Sequence, residues 1–155
     1  MLVVTTRTFD RQMAFLKKNK YNVLALEELA QLIKEKKKIP AKAVVITLDD
    51  GFKDNYTYAF PILKKYGLPA TIFIITNEVG RRDHLSWEEI KEMQGSGIIS
   101  FGSHCLGPKP LINISSREEV KKEIFDSKRL MEQKLGKEVS SFAYPEGLFN
   151  PEIRQ

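Results

Sequence analysis

Three short clusters in this sequence combine residue types that could do chemistry. The first is Asp49-Asp50-Gly51, which directly follows an apolar run at 43–48. Two adjacent carboxylates at the end of a buried strand cost free energy unless they are paired, hydrogen-bonded or bound to a cation. In an extended backbone their side chains point to opposite sides, so one could hold a metal ion while the other handles protons. The alternative is a turn in which an aspartate caps the next segment.

The second and third clusters follow later apolar runs. His104 ends the segment 101–104, and a neutral imidazole close to a carboxylate on a neighbouring strand is a zinc or cobalt ligand type. The alternative is an ordinary structural histidine. The segment 142–147 joins aromatic residues, proline and glycine, which can shape a groove wall and offer backbone donors. On its own this third cluster predicts only a turn.

The strands and helices that must position these clusters alternate along the chain. Strand candidates lie at 21–24, 43–48, 70–75, 98–101 and 139–144, with helical patterns between them. This alternation predicts an α/β fold with a mostly parallel sheet and helices outside it. Functional groups gather at the carboxyl ends of the strands in such folds. Since a complete eight-fold barrel needs about 250 residues, we expect part of a (β/α) barrel.

Several residues mark where these elements begin and end. Thr8 is the predicted N-cap of the first helix, and Ser86 with Glu89 forms a predicted capping box. Pro61 is tolerable only in the first turn of its helix, and Gly136 is the predicted stop of the longest helix. The run 43–48 has the composition of a strand buried on both faces.

Composition is that of one domain over residues 1–155, with 42% hydrophobic and 29% charged residues. No apolar run approaches the roughly 18 residues needed to cross a bilayer, and residues 1–7 do not have a signal-peptide pattern. The net charge is +5, with lysines concentrated at 34–38, where we expect them to oppose a helix dipole and keep the surface solvated. No nucleic-acid-binding motif accompanies this charge, so no nucleic-acid partner is expected.

Taken together, the three clusters resemble one family. Their order, with segments 9–13, 46–56, 69–73 and 85–87, is similar to the N-terminal portion of the polysaccharide deacetylase (NodB-homology) domain of carbohydrate esterase family 4. The resemblance implies a distorted (β/α) barrel and a hydrolase that removes N-acetyl, or occasionally O-acetyl, groups. It also implies glycan substrates such as poly-N-acetylglucosamine, chitin or peptidoglycan, and action at the cell envelope or outside the cell.

The resemblance also assigns roles to individual residues. Asp49 is implied to be the catalytic general base, and Asp50 and His104 are implied to be ligands of a divalent metal ion. That ion is expected to be zinc, with cobalt or nickel as alternatives. The residues implied to line the substrate groove are Tyr144, Pro145 and Gly147. The Tyr144 backbone N–H is in addition a candidate donor to the oxyanion formed in the reaction.

The sequence also departs from the family pattern. A second metal-ligating histidine is expected four or five positions after His104, where this chain has Pro108 and Lys109. We expect His84 to be a surface residue, and we expect the side chain of Cys105 to point away from any metal held by its neighbour. The general-acid histidine of the family's C-terminal motifs does not occur in these 155 residues. We therefore expect weakened metal binding.

Two functions from different classes remain open. The chain could be part of a hydrolase whose remaining parts come from a partner chain or a longer protein. It could instead be a catalytically impaired relative that binds glycan or a protein partner. Open edges of an incomplete barrel would favour homo-oligomers through strand pairing. A magnesium site for phosphoryl transfer is disfavoured, because no glycine-rich phosphate loop follows the strand.

Overall fold

Short parallel strands alternate with helices throughout the structure, a computed structural model that describes residues 4–154. The helices are α1 (Thr6–Lys18), α2 (Leu26–Lys34), α3 (Phe60–Tyr66), α4 (Trp87–Gly95), α5 (Arg117–Leu135) and α6 (Pro151–Arg154). The strands are β1 (Asn22–Val23), β2 (Ala43–Val44), β3 (Thr47–Leu48), β4 (Ala70–Ile74) and β5 (Ile99–Ser103). Within residues 4–154, no helix has both the length and the apolar character needed to cross a membrane.

All strand pairs are parallel, as predicted. One piece pairs β1 with β2, and a second has the order β3-β4-β5, with Leu48 opposite Ile72 and Ile72 opposite Phe101. The strand predicted at 139–144 is reduced to a parallel bridge between Phe142 and Ser103, which extends the second piece beyond β5. The strands formed by residues 4–154 do not close into a ring. The prediction of a partial (β/α) barrel is therefore confirmed.

The run 43–48 differs from its prediction as one strand buried on both faces. It forms the two short strands β2 and β3, which pair with different neighbours. Ile46 between them is buried, whereas Val44 and Leu48 are half-buried and Thr47 is exposed. The expectation of burial on both faces is wrong because residues 44–48 line an open cavity.

The helix ends follow the capping chemistry in the sequence, with one correction. Helix α1 starts earlier than predicted, since Thr5 is the N-cap and its hydroxyl accepts a hydrogen bond from the Thr8 N–H at 3.2 Å. The capping box that opens α4 is confirmed, with Ser86 and Glu89 bonding reciprocally. Helix α5 ends at Gly136, whose φ of 65° is the left-handed conformation that glycine adopts at low cost.

A wider helical turn at Asn55–Ala59 precedes α3. It runs without a break into α3, where Pro61 occupies the first turn, as predicted. Proline has no N–H and its ring collides with the carbonyl four residues earlier, so local widening lets the helix continue past it. This turn follows the aspartate pair closely, and its residues help to form the cavity described below.

One hydrophobic core holds the strands against the helices. Every residue of β4 is buried, which fits its place between β3 and β5. Helices α3, α4 and α5 contribute fully buried side chains to this core, among them Leu63, Ile90, Met93 and Met131. Because β4 is packed on both faces, the carboxyl ends of β3, β4 and β5 are held on a rigid base.

Candidate active site

The predicted clusters meet at the carboxyl ends of the strands. Asp49 and Asp50 follow β3, His104 follows β5, and Pro145 lies just beyond the bridge at Phe142. These four residues, Asp49, Asp50, His104 and Pro145, line one cavity of about 1600 Å³. The topology therefore brings together residues that are up to 96 positions apart in the sequence.

Asp50 and His104 face each other across this cavity. The Asp50 Oδ1 atom lies 3.5 Å from His104 Nε2. Asp50 has a φ of 69° and its neighbour Gly51 a φ of 74°, so the chain turns in the left-handed region directly after β3. The expectation of opposite side-chain directions assumed an extended backbone and fails in that detail. The two carboxylates nevertheless differ in setting, since Asp49 is exposed and Asp50 is half-buried.

A backbone contact fixes the orientation of the His104 ring. The ring is buried, and Nδ1 lies 2.8 Å from the carbonyl oxygen of Ala143. A carbonyl oxygen can only accept, so Nδ1 carries a proton and donates it. In the neutral ring, the lone pair of Nε2 then faces Asp50. Two electron-rich atoms at this separation favour either a proton or a cation between them, as at metal-binding histidines whose other nitrogen donates to a carbonyl.

Asp50 and His104 are candidate ligands of a metal ion. Asp50 and His104 supply an oxygen and a nitrogen of the kinds that zinc takes. Among residues 4–154, no group of three histidine, cysteine, aspartate or glutamate side chains is placed to hold an ion. Pro108 lines the cavity where a further ligand was expected, whereas the exposed Lys109 does not line it. The described residues thus fit a divalent cation with two protein ligands.

The other histidine and the cysteine do not complete this set. His84 was expected at the surface, but it is 8% exposed, stacks on Phe52 and pairs with Asp83 at 2.9 Å, away from the cavity. Cys105 is fully buried and does not line the cavity, in agreement with the expected direction of its side chain. Burial, with the nearby Glu123 carboxylate, raises the pKa of its thiol to about 12. The thiol is therefore protonated near neutral pH in the absence of a metal ion.

The third cluster forms part of the cavity wall. Pro145 is buried and lines the cavity, whereas Tyr144 and Gly147 do not line it. Tyr144 packs edge-on against Phe142 and stacks on the exposed Phe149. Its backbone N–H donates to no backbone or side-chain acceptor within the described residues 4–154. The role of this N–H as an oxyanion donor therefore stays a prediction.

Glu146 and Asn55 are among the cavity residues that the sequence analysis did not predict. Glu146 lines the cavity with a φ of 57°, a conformation that could not be read from the sequence. Asn55 is 7% exposed; its amide nitrogen donates to Asp54, but its Oδ1 atom has no partner. A signal for Asn55 did exist, since it is a polar residue six positions after Asp49 on a helix that must pack against the sheet.

This fold and site define a class of protein. The family model described as polysaccharide deacetylase matches residues 36–155, and the chain belongs to that family. The family is a class of hydrolases that act on carbon–nitrogen bonds other than peptide bonds, and its NodB-type members are generally dependent on a divalent metal ion.

Particular relatives sharpen this assignment. The chain is 37% identical to the protein YxkH of Bacillus subtilis over 97% of this chain and 53% of that protein. It is 35% identical to the poly-beta-1,6-N-acetyl-D-glucosamine N-deacetylase of Staphylococcus epidermidis, over 95% of this chain and 55% of that protein. The chain thus spans about half the length of the curated relatives it matches.

Solved structures agree with the sequence relatives. The deacetylase PplD of Streptococcus pyogenes, solved in complex with acetate, superposes with a TM-score of 0.92 at 30% identity, over 99% of this chain and 68% of that one. IcaB from Ammonifex degensii gives a TM-score of 0.91 at 29% identity, over 98% and 71%. The expected NodB-type fold is therefore confirmed.

Proposed function

We propose that this chain carries the catalytic base and two metal ligands of an enzyme that removes N-acetyl groups from a polysaccharide. The observation that carries the proposal is the contact between Asp50 and His104, with the His104 ring held by Ala143. This arrangement presents a ring nitrogen and a carboxylate oxygen to the same point of a cavity. Asp49 lines the same cavity and remains free to act on protons.

In this proposal Asp49 is the general base. It is exposed at the cavity, so it can accept a proton from the water that attacks the acetyl carbonyl. The Tyr144 N–H is the proposed donor to the oxyanion that forms on the substrate. Pro145 shapes the wall on that side, and Gly147 allows the turn that follows, with a φ of 69°.

The proposed metal is zinc, held by Asp50 and His104. A divalent cation held there would polarise the acetyl carbonyl and would bring the pKa of a coordinated water toward roughly 7. His104 can serve only while Nε2 is unprotonated, and its bond to Ala143 leaves that nitrogen directed at the cavity. Since only two protein ligands are present among residues 4–154, we expect weaker affinity than that of a three-ligand site.

The proposed substrate is a polymer of N-acetylglucosamine. Support comes from the relative in Staphylococcus epidermidis, which is named for poly-beta-1,6-N-acetyl-D-glucosamine. The cavity is open to solvent, so a polymer can reach the Asp49, Asp50 and His104 side chains that line it. Chitin and peptidoglycan are the alternatives to compare in the same assay.

Acetate release from poly-β-1,6-N-acetylglucosamine oligomers, with and without zinc, tests this proposal. We expect zinc-dependent release that falls by about 10²- to 10⁴-fold in Asp49→Asn, because a general base is lost. The matched control is Asp126→Asn on the surface of α5, which should keep the wild-type rate. Equal rates for Asp49→Asn and the wild type would contradict the assigned base.

A second candidate function is glycan binding without turnover. Pro108 favours it, since this residue lines the cavity and has no side-chain donor for a metal. Oligomer binding that persists in Asp49→Asn, with no acetate released by the wild type at saturating zinc, would establish this function. Self-association through the open strand edges also remains a proposal, and analytical ultracentrifugation of the chain tests it.

A further inference from the structure

The end of the sheet opposite the site is strongly basic. It consists of residues 17–20 and 34–42, here called the lysine end, and all thirteen are exposed. Its lysines are Lys17, Lys18, Lys20, Lys34, Lys36, Lys37, Lys38 and Lys42. The single acidic residue in these two segments is Glu35. This density of charge far exceeds the net +5 spread over the whole chain.

Hydrogen bonds join the end of the second segment to the region of the first. The Asn22 N–H donates to the carbonyl of Lys42 at 3.1 Å, and the Asn22 side chain donates to the carbonyl of Ala41 at 2.7 Å. In turn, the Lys42 ammonium donates to the carbonyl of Asn19 at 3.2 Å. The start of β2 is therefore tied to the end of α1, which places Lys42 beside residues 17–20, and the lysines of both segments are exposed.

The residues that end the helices distinguish this surface from the rest of the molecule. Helices α3, α4 and α5 are each followed by a glycine in the left-handed conformation, namely Gly67, Gly97 and Gly136. Helices α1 and α2 have the same kind of ending, with the hydrogen bonds Tyr21 N–H to Leu16 and Lys37 N–H to Leu32. The left-handed residues there are Lys20 and Lys36, with φ of 54° and 52°. Lysine thus occupies positions where glycine is the less strained residue.

The helix dipole explains only part of this pattern. It favours cations in the last turn of a helix, which covers Lys17, Lys18 and Lys34. It does not call for lysine at 38 or 42, which lie beyond the helices. Within the described residues 4–154, one ion pair forms at the lysine end, between Lys37 and Glu35 at 2.6 Å. Most of this charge is therefore not neutralised inside the molecule.

Apolar side chains are exposed among these lysines. Ile33 is 59% exposed, and Ile39, between Lys38 and Pro40, is 43% exposed. A soluble anionic polymer offers nothing to such side chains, whereas the boundary of a lipid bilayer offers both anionic headgroups and an apolar region. We propose that the lysine end docks on an anionic phospholipid surface, with the isoleucines at the headgroup level.

Docking in this way would leave the candidate active site accessible. Lys42 precedes β2, and Asp49 follows β3 seven residues later. An extended stretch of this length spans about 20 Å, so the two features lie at opposite ends of the strands. A polysaccharide could therefore reach Asp49 and His104 while the lysine end contacts the bilayer.

Vesicle co-sedimentation of the whole chain tests the proposal. The probes are vesicles of pure phosphatidylcholine and equimolar mixtures of phosphatidylcholine with phosphatidylglycerol. We expect binding to the anionic vesicles alone, lost as salt rises from about 0.05 M to about 0.5 M. The decisive variant is Lys20→Gly with Lys36→Gly, which removes two charges and relieves two left-handed lysines. Each lysine near an anionic surface contributes about five-fold to vesicle affinity, so we expect the affinity of this variant to fall on the order of 25-fold. Its melting temperature should be unchanged or higher.

Two further variants complete the test. Lys121→Gln with Lys122→Gln removes the same charge from exposed positions on α5 and should leave vesicle binding unchanged. Ile39→Ser keeps all the lysines and should weaken vesicle binding severalfold. The proposal is overturned if anionic vesicles do not bind, if the α5 variant weakens binding as much as the glycine variant, or if soluble polyphosphate binds while vesicles do not.

Discussion

Residues with a left-handed backbone occur at both ends of the parallel strands, but their side chains have different surroundings at the two ends. Six non-glycine residues among 4–154 have a positive φ, and all six lie at one end or the other. At the carboxyl end they are Asp50, Cys105 and Glu146; at the lysine end they are Lys20, Lys36 and Lys42. Both ends therefore use a strained backbone, but the side chains placed on it face different surroundings.

The comparison shows what each end requires of a residue. At the carboxyl end the left-handed residues lie at or beside the candidate site: Asp50 faces His104, Glu146 lines the cavity, and Cys105 follows the histidine. At the lysine end the left-handed side chains are exposed, and the backbone alone would accept glycine. A glycine substitution made at both ends therefore separates the effect of backbone strain from the effect of the lost side chain.

Replacing a left-handed residue by glycine at each end should give the largest contrast. Asp50→Gly relieves the same backbone strain as Lys36→Gly, but it also removes a proposed metal ligand. We expect zinc affinity to fall by at least about 100-fold in Asp50→Gly and to stay at the wild-type value in Lys36→Gly. Zinc titration of both variants measures this, and equal affinities would show that Asp50 is not a ligand.

The two ends also differ in how closely other atoms pack around their glycines. A Cβ added to Gly102 would lie 2.5 Å from the Phe73 ring and from Ser141 Oγ. We expect Gly102→Ala to lower the free energy of unfolding by about 1–3 kcal/mol, because a packed wall cannot absorb the added methyl group. Urea denaturation measures the change. The control Gly95→Ala, in open space at the end of α4, should be neutral or stabilising by up to about 1 kcal/mol.

The buried thiol next to His104 predicts a smaller effect that depends on pH. Burial raises the pKa of Cys105 from 9.0 to about 12, so the folded chain keeps a proton that the unfolded chain releases. Stability should therefore fall as pH rises from about 9 toward 12, by up to about 1.4 kcal/mol per pH unit. Urea denaturation at several alkaline pH values, compared with Cys105→Ala, isolates this contribution. An identical pH slope in the two proteins would contradict the assigned burial.

The elements that the sequence predicted best were those fixed by local chemistry. The capping box at Ser86 and the stop at Gly136 are contiguous signals, and both are confirmed. The three site clusters were found because each lies in one short segment that directly follows an apolar strand pattern. A resemblance in their order then supported their assembly into one site.

The features that were missed depend on distant contacts. The tautomer of His104 is set by the carbonyl of Ala143, 39 residues away. His84 is buried because Phe52 packs against it, and Thr47 is exposed because its strand lines an open cavity. Neither the composition nor the spacing of these segments carries that information.

The central proposal is that Asp50 and His104 would hold a metal ion, and that a histidine at position 108 would add a third ligand. A calorimetric zinc titration of Pro108→His beside Lys109→His tests it most directly, because Pro108 lines the cavity and Lys109 does not. We expect Pro108→His to tighten zinc binding by at least about tenfold, and Lys109→His to leave it unchanged. Tightening by Lys109→His alone, or by neither variant, would contradict the account.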